Sequence, residues 1–211
     1  MEHLLASDEV LAGLVRAIGP LGLAERRRGR PGDAYGSLVR SVVGQQLSTR
    51  AARTIYGRLT DLYGGRPPDP AEMLAADEED LRAAGLSRPK IGYLRDLAGR
   101  VRSGELDLDR LHELPDEEVS GRLVAVRGFG QWTADMFLMF HLGRPDVLPV
   151  GDLGVRRAVE RAYGLPDLPA PETLRAIAEP WRPHRTLACI YLWESLEDAS
   201  RGATLEGREV L

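Results

Sequence analysis

A single cysteine, Cys189, is present in the chain, which excludes an intramolecular disulfide and an iron–sulfur cluster held by four thiolates. Flanked by Ala188 and Ile190, it is expected to pack in the core. Lysine is equally scarce, since Lys90 alone among the basic residues is a lysine. No apolar run reaches the roughly 18 residues that a membrane span requires. The opening stretch MEHLLASDEV lacks the basic and apolar regions of a secretory leader, so a cytoplasmic protein is expected. His3, His112, His141 and His184 show no ligand spacing, and no side-chain metal site is expected. Strict apolar/polar alternation is missing, and so is an Asn-Gly or Asp-Gly turn between apolar runs, which leaves little room for a sheet.

The net charge of −4 argues against reading nucleic-acid binding from composition, because nonspecific affinity comes from neutralised phosphates. Charge placement must carry that point. Acidic residues crowd into Asp77 to Asp80 and Asp116 to Glu118, while arginines recur at Arg26 to Arg30, Arg50 and Arg53, Arg156 and Arg157, and Arg182 and Arg185. One basic face and a scatter of solvated surface arginines both fit that spacing.

Helical signals fill the chain, and the fold is expected to be all-α. Asp8 caps a stripe of Leu11, Leu14, Val15 and Ile18 that ends at Gly19-Pro20, and Asp33 opens another with Leu38, Val39, Val42 and Val43. Ser48 starts a third stripe through Ala51, Ala52, Ile55 and Leu59, stopped by Gly64-Gly65 before a proline-rich loop, Arg66 to Pro70. Asp77 with Asp80 resembles a capping box ahead of Leu81, and Ser87 caps a helix through Ile91, Leu94, Leu97 and Val101 that closes at Gly104. Asp116 is expected to cap a helix through Val119, Leu123 and Val126, and Thr133 to Leu142 resumes the pattern. Leu153 to Tyr163, Pro171 to Ala178 and His184 to Leu196 complete the set.

Between two of these helices lies Val126-Arg127-Gly128-Phe129-Gly130-Gln131-Trp132-Thr133-Ala134. Glycines spaced by one residue suit a tight turn that needs positive φ or close backbone approach. The helix that follows points its unpaired N–H groups out of the turn, a seat for phosphate that requires no net positive charge. A G-x-G between helices is equally consistent with a plain connection.

Two longer stretches, LVAVRGFGQWTADMFLMFHLGRPDVLPVGDLGVRRAV from Leu123 to Val159 and LVRSVVGQQLSTRAA from Leu38 to Ala52, resemble the helix-hairpin-helix superfamily of DNA glycosylases. The nearest likeness is to its alkylated-base branch, the 3-methyladenine DNA glycosylase II enzymes. The resemblance implies two helical subdomains carrying a helix-hairpin-helix motif, with a DNA and base-binding cleft between them. Residues 1–211 are then one unit, with one subdomain over about 34–115 and the other over about 1–33 plus 116–211, the hairpin occupying 123–142.

On position alone Asp152, after Gly151 and before a helix, is a natural N-cap. The resemblance makes it the catalytic carboxylate, and the roles are compatible because a helix N-terminus is a favourable place for an anion. Rupture of a glycosidic bond develops oxocarbenium character that a nearby carboxylate stabilises, and the same group can take a proton from water. Trp132 and Trp193 are the implied aromatic faces of the base pocket, suited to an alkylated purine that carries positive charge. Met136 falls where some relatives place a pocket tyrosine, which leaves the lesion spectrum open. Without the resemblance both tryptophans read as core.

The resemblance also places a DNA-intercalating element at Gly44-Gln45-Gln46-Leu47-Ser48, with Gln46 first and Leu47 second as the wedge. Gly128, Phe129, Gly130 and Thr133 are implied to hold the DNA backbone. A monovalent cation at the backbone carbonyls of Val124, Val126 and Phe129 is implied as well, with no other cofactor. Relatives that nick the backbone use a lysine two residues after the second hairpin glycine; that place is Trp132 here, so no lyase step is expected. The expected function is excision of alkylated purines such as 3-methyladenine and 7-methylguanine in base excision repair. A monomer acting on double-stranded DNA is expected, without a membrane or an obligate protein partner. A non-catalytic helix-hairpin-helix DNA-binding module is the alternative.

Overall fold

The computed structural model describes residues 1–21 and 32–206, with the side chains of 49 and 197–206 outside the description. The arginine run Arg26 to Arg30 therefore lies outside the described residues. No strand occurs among the described residues, and the fold is all-helical. No described helix is long and apolar enough to cross a membrane.

The described residues divide into two compact units, one over 32–142 and one over 1–21 with 143–206. The first contains α3 (Ala34–Gly44), α4 (Thr49–Asp61), α5 (Pro70–Ala75), α6 (Glu78–Ala83), α7 (Arg88–Ser103), α8 (Asp116–Val124) and α9 (Gln131–Phe137). A π-type turn, Leu138–Leu142, extends α9. The second contains α1 (Glu2–Ser7), α2 (Glu9–Ile18), α10 (Leu153–Ala162), α11 (Pro171–Ile177) and α12 (Arg185–Glu206). Residues 116–142 thus group with 32–115 rather than with the chain ends, because α9 packs on both α3 and α8. The hairpin is part of the central unit.

In the central unit the apolar stripe of α3 is fully buried at Leu38, Val39, Val42 and Val43, and α7 contributes Ile91, Leu94 and Leu97. Each such side chain stabilises the unit by about 1.5–3 kcal/mol through area removed from water. Asp33 and Ser48 cap α3 and α4 as their side-chain chemistry dictates, accepting from Gly36 N–H at 2.6 Å and Ala51 N–H at 3.3 Å.

The terminal unit is organised around Asp8. Its Oδ1 accepts the Leu11 N–H at 2.9 Å, while Oδ2 accepts the Tyr163 hydroxyl at 2.5 Å and the Trp181 indole N–H at 2.9 Å. Trp181 is wholly buried. Burial pushes the Asp8 carboxyl up, but the donors from Tyr163, Leu11 and Trp181 together hold it below its ordinary value. Burial, and then the Asp8 carboxylate, raises the Tyr163 hydroxyl. Cys189 is buried in α12 as expected.

Several local expectations are corrected. A short helix, α1, precedes Asp8 and buries Leu4. The capping box belongs to Asp69 and Glu72, at the start of a helix in the proline-rich stretch, while Asp77 caps α6 through the Glu79 N–H. Pro115, not Asp116, stands at the N-cap of α8, since its ψ of 152° lies outside the helical range and Asp116 is the first helical residue. Helix α8 also stops at Val124, so Val126 is buried from the turn. The final helix runs past Leu196 to Glu206.

Candidate active site

Asp152 is the N-cap of α10 and accepts the Val155 N–H on Oδ1 at 2.7 Å. The same oxygen accepts the indole N–H of Trp193, from α12, at 2.9 Å. The carboxylate is half-buried, and so is the indole. Two donors on one oxygen fix the carboxylate plane, as an orienting pair does for a catalytic group. Gly154 leaves room for this pair, since a Cβ there would lie 3.0 Å from both Asp152 Oδ1 and the edge of the Trp193 indole. Asp152 and Trp193 are thus brought together in the terminal unit. The role of Gly154 was missed in the sequence, where it reads as an ordinary helical glycine.

The hairpin lies in the central unit. Gly128 has φ +79°, and a Cβ built on it would come 2.3–2.4 Å from the ring carbons of Tyr93 on α7. The backbone therefore lies flat against that ring, and only glycine fits. The adjacent Arg127 N–H donates to Asp96 Oδ2 at 2.9 Å. Burial pushes the Asp96 carboxyl up, but the Arg127 N–H and the Arg100 guanidinium hold it below its ordinary value. Tyr93 and Asp96 brace the turn from one face of α7. Gly128 and Gly130 are exposed, whereas Phe129 is buried. Thr133 is also buried, and its hydroxyl accepts from Gln45 Nε2 at 3.2 Å. Its side chain is an internal tie between the hairpin and the turn after α3.

The Gln45-Gln46-Leu47 turn follows α3. Gln46 has φ +58°, the only positive value at a non-glycine residue among those described. It is exposed, and Leu47 is 39% exposed, a high value for leucine next to a core helix. Gln45 Nε2 reaches the Gly128 carbonyl at 3.1 Å. Lys90 Nζ donates to the carbonyls of Val43 at 2.7 Å and Gln45 at 2.8 Å. Burial lowers the Lys90 amine below the ordinary lysine value.

A cavity of about 280 Å³ in the central unit is lined by Trp132 and Met136 of α9, Leu47, and Arg53 and Tyr56 of α4, together with α3 residues that include Arg40. The Arg40 guanidinium sits 5.5 Å from the Tyr56 ring centroid, in cation–π range. Trp132 and Met136 are therefore brought together. Arg40 and Tyr56 were missed, and Arg53 was read only as part of a basic patch, because nothing in the spacing of α3 and α4 relates them to α9.

The basic patches separate on inspection. Arg182 and Arg185 both engage Asp146, at 2.9 and 2.7 Å, and Arg156 donates to the Pro169 carbonyl at 2.9 Å. Arg156 and Arg185 are internal ties in part, whereas Arg50, Arg53, Arg157 and the paired Arg182 are exposed. At the hairpin, the Val126 carbonyl accepts the Phe129 N–H at 3.0 Å and keeps a second lone pair, donor chemistry that fits a monovalent cation.

The described residues thus form an all-helical protein with a glycine hairpin and, after it, an indole-held aspartate at a helix N-terminus. Residues 39–183 match the model of the HhH-GPD superfamily of base excision DNA repair proteins, and the chain belongs to that superfamily. DNA-3-methyladenine glycosylase 1 of Schizosaccharomyces pombe is 34% identical over 195 residues, covering 92% of this chain and 85% of that protein. YfjP of Bacillus subtilis is 32% identical over 171 residues, covering 78% of this chain but 60% of its own length. Among solved structures, the S. pombe 3-methyladenine DNA glycosylase in complex with abasic DNA superposes with a TM-score of 0.85. It is 33% identical, with 93% of this chain and 95% of that one covered.

Proposed function

We propose that the protein is a monofunctional DNA glycosylase that flips an alkylated purine, such as 3-methyladenine or 7-methylguanine, out of duplex DNA and hydrolyses its N-glycosidic bond. The observation that carries the reading is the Asp152 carboxylate, held by the Val155 N–H and the Trp193 indole in a chain of this superfamily. Alkylation at N3 or N7 gives the purine a positive charge. The C1′–N bond breaks with its electron pair passing to the base, which leaves neutral. Asp152 stabilises the oxocarbenium character at C1′, where a water oxygen then bonds. The water proton passes to Asp152 or to solvent; general-base and electrostatic roles use the same carboxylate.

Trp132, Met136 and Tyr56 give the flipped base aromatic and sulfur faces. Gln46, or else Leu47, fills the gap left in the duplex, and the exposed Gly128-Gly130 backbone takes a phosphate. A monovalent cation on the carbonyls of Val124, Val126 and Phe129 would add positive charge beside that phosphate. The enzyme acts as a monomer. It leaves an intact abasic site, because its sole lysine, Lys90, lies outside the hairpin and is engaged by two carbonyls.

The test is base release from methylated duplex DNA, with strand scission scored before and after hot alkali. Free methylated purines, with breaks only after alkali, are expected. Breaks without alkali would overturn the monofunctional reading, and DNA binding without base release would make the chain a non-catalytic module.

A further inference from the structure

Gln45 is tied through its backbone N–H, its carbonyl and its side-chain amide nitrogen. Its N–H bonds back to the carbonyls of Ser41 and Val42, its carbonyl accepts from Lys90 Nζ, and its side-chain amide spans the Gly128 carbonyl and the Thr133 hydroxyl. Lys90 adds a second bond to the Val43 carbonyl, in the last turn of α3, where helix carbonyls lack intrahelical donors. The next residue, Gln46, is held at φ +58°, a conformation costing a non-glycine residue about 1–2 kcal/mol. Such a conformation persists only where the surroundings determine it. The Leu47 N–H closes the turn onto the Gly44 carbonyl at 3.2 Å, and Lys90 and Gln45 tie the residue before Gln46 to the end of α3 and to the hairpin.

We propose that Lys90 and Gln45 are positioning residues that lock the exposed Gln46–Leu47 turn to the hairpin, so that wedge insertion and hairpin docking occur as one rigid event. The proposal rests on the glycosylase reading. It assigns to the sole lysine a purpose different from the nucleophile that lysine supplies in lyases. Flipping a base requires the wedge to displace it, and a wedge on a loose turn spends insertion energy on ordering itself. A duplex that already has an abasic gap takes the wedge with no base to displace, and so asks less of it. Loss of the brace should therefore separate excision from gap binding.

The experiment compares wild type, Lys90→Met, Lys90→Arg and Gln45→Ala on three readouts. These are single-turnover excision from methylated duplex DNA, affinity for a duplex holding a tetrahydrofuran abasic analogue, and amide hydrogen exchange over 44–48. Methionine keeps an unbranched stem and loses the donors, while arginine can still span two carbonyls. Lys90→Met and Gln45→Ala are expected to excise about tenfold more slowly, to bind the abasic duplex within about threefold of wild type, and to exchange the Gln45 and Leu47 amides at least tenfold faster. Lys90→Arg should recover most of the excision rate. Wild-type excision in Lys90→Met, or a matching loss of excision and abasic-duplex affinity, overturns the brace. If wild type releases no base, the glycosylase reading falls, and unchanged exchange over 44–48 in Lys90→Met then overturns the brace independently.

Discussion

The indole N–H of Trp193 and the backbone N–H of Val155 converge on one oxygen of Asp152, at 2.9 and 2.7 Å. A residue read in the sequence as an aromatic face is thereby also a hydrogen-bond donor to the carboxylate. Replacing Trp193 by phenylalanine keeps a ring and removes the donor. A hydrogen bond to a charged group contributes about 1.5–3 kcal/mol, so Trp193→Phe is expected to slow single-turnover excision by at least tenfold. Melting should fall as well, by roughly 3–10 °C. Excision at the wild-type rate would leave Trp193 as a stacking surface alone.

The contact of Gly128 with Tyr93 predicts an asymmetric pair of variants. Gly128→Ala drives a Cβ into the ring and forces an alanine to φ +79°, at a combined cost of about 2–4 kcal/mol. Thermal denaturation should register that loss, together with weaker binding to any duplex. Tyr93→Ala opens the space, so the double variant should regain the steric part of the loss. Equal melting temperatures for Gly128→Ala and wild type would contradict the packing.

Asp8 sets an acid limit on stability. Its folded-state pKa lies below the ordinary value near 3.8, so in the interval between the two values the unfolded chain binds the extra proton. The contribution of Asp8 is therefore fully present above the unfolded pKa and is lost as pH falls through the folded one. Denaturant titrations from about pH 5 down to about pH 3 should show a steeper loss for wild type than for Asp8→Asn. Parallel curves would remove Asp8 from the account.

Much of this was legible in the sequence, and the reason is locality. Caps such as Asp33, Ser48 and Ser87 and the stripes they open are decided within one or two helical turns, so the all-helical class and most helix starts could be read directly. Asp152 could be read twice, as an N-cap and by resemblance. Short elements were harder: α1 and α5 have six residues each, too few for periodicity to register. Contacts between distant segments were not legible. Tyr93 and Asp96 meet the hairpin only because α7 lies beside it, and Lys90 caps a helix that ended 46 residues earlier, at Gly44. The bond between Thr133 and Gln45, 88 residues apart, was equally out of reach of the sequence.

The central claim concerns Asp152, and its most direct test is Asp152→Asn in single-turnover base release, run beside binding to abasic-analogue duplex DNA. Asparagine preserves shape and can still accept from Val155 and Trp193, so only the charge is lost. The account predicts a fall in excision of about a hundredfold or more with duplex binding retained. Excision by Asp152→Asn within a few-fold of wild type would contradict it.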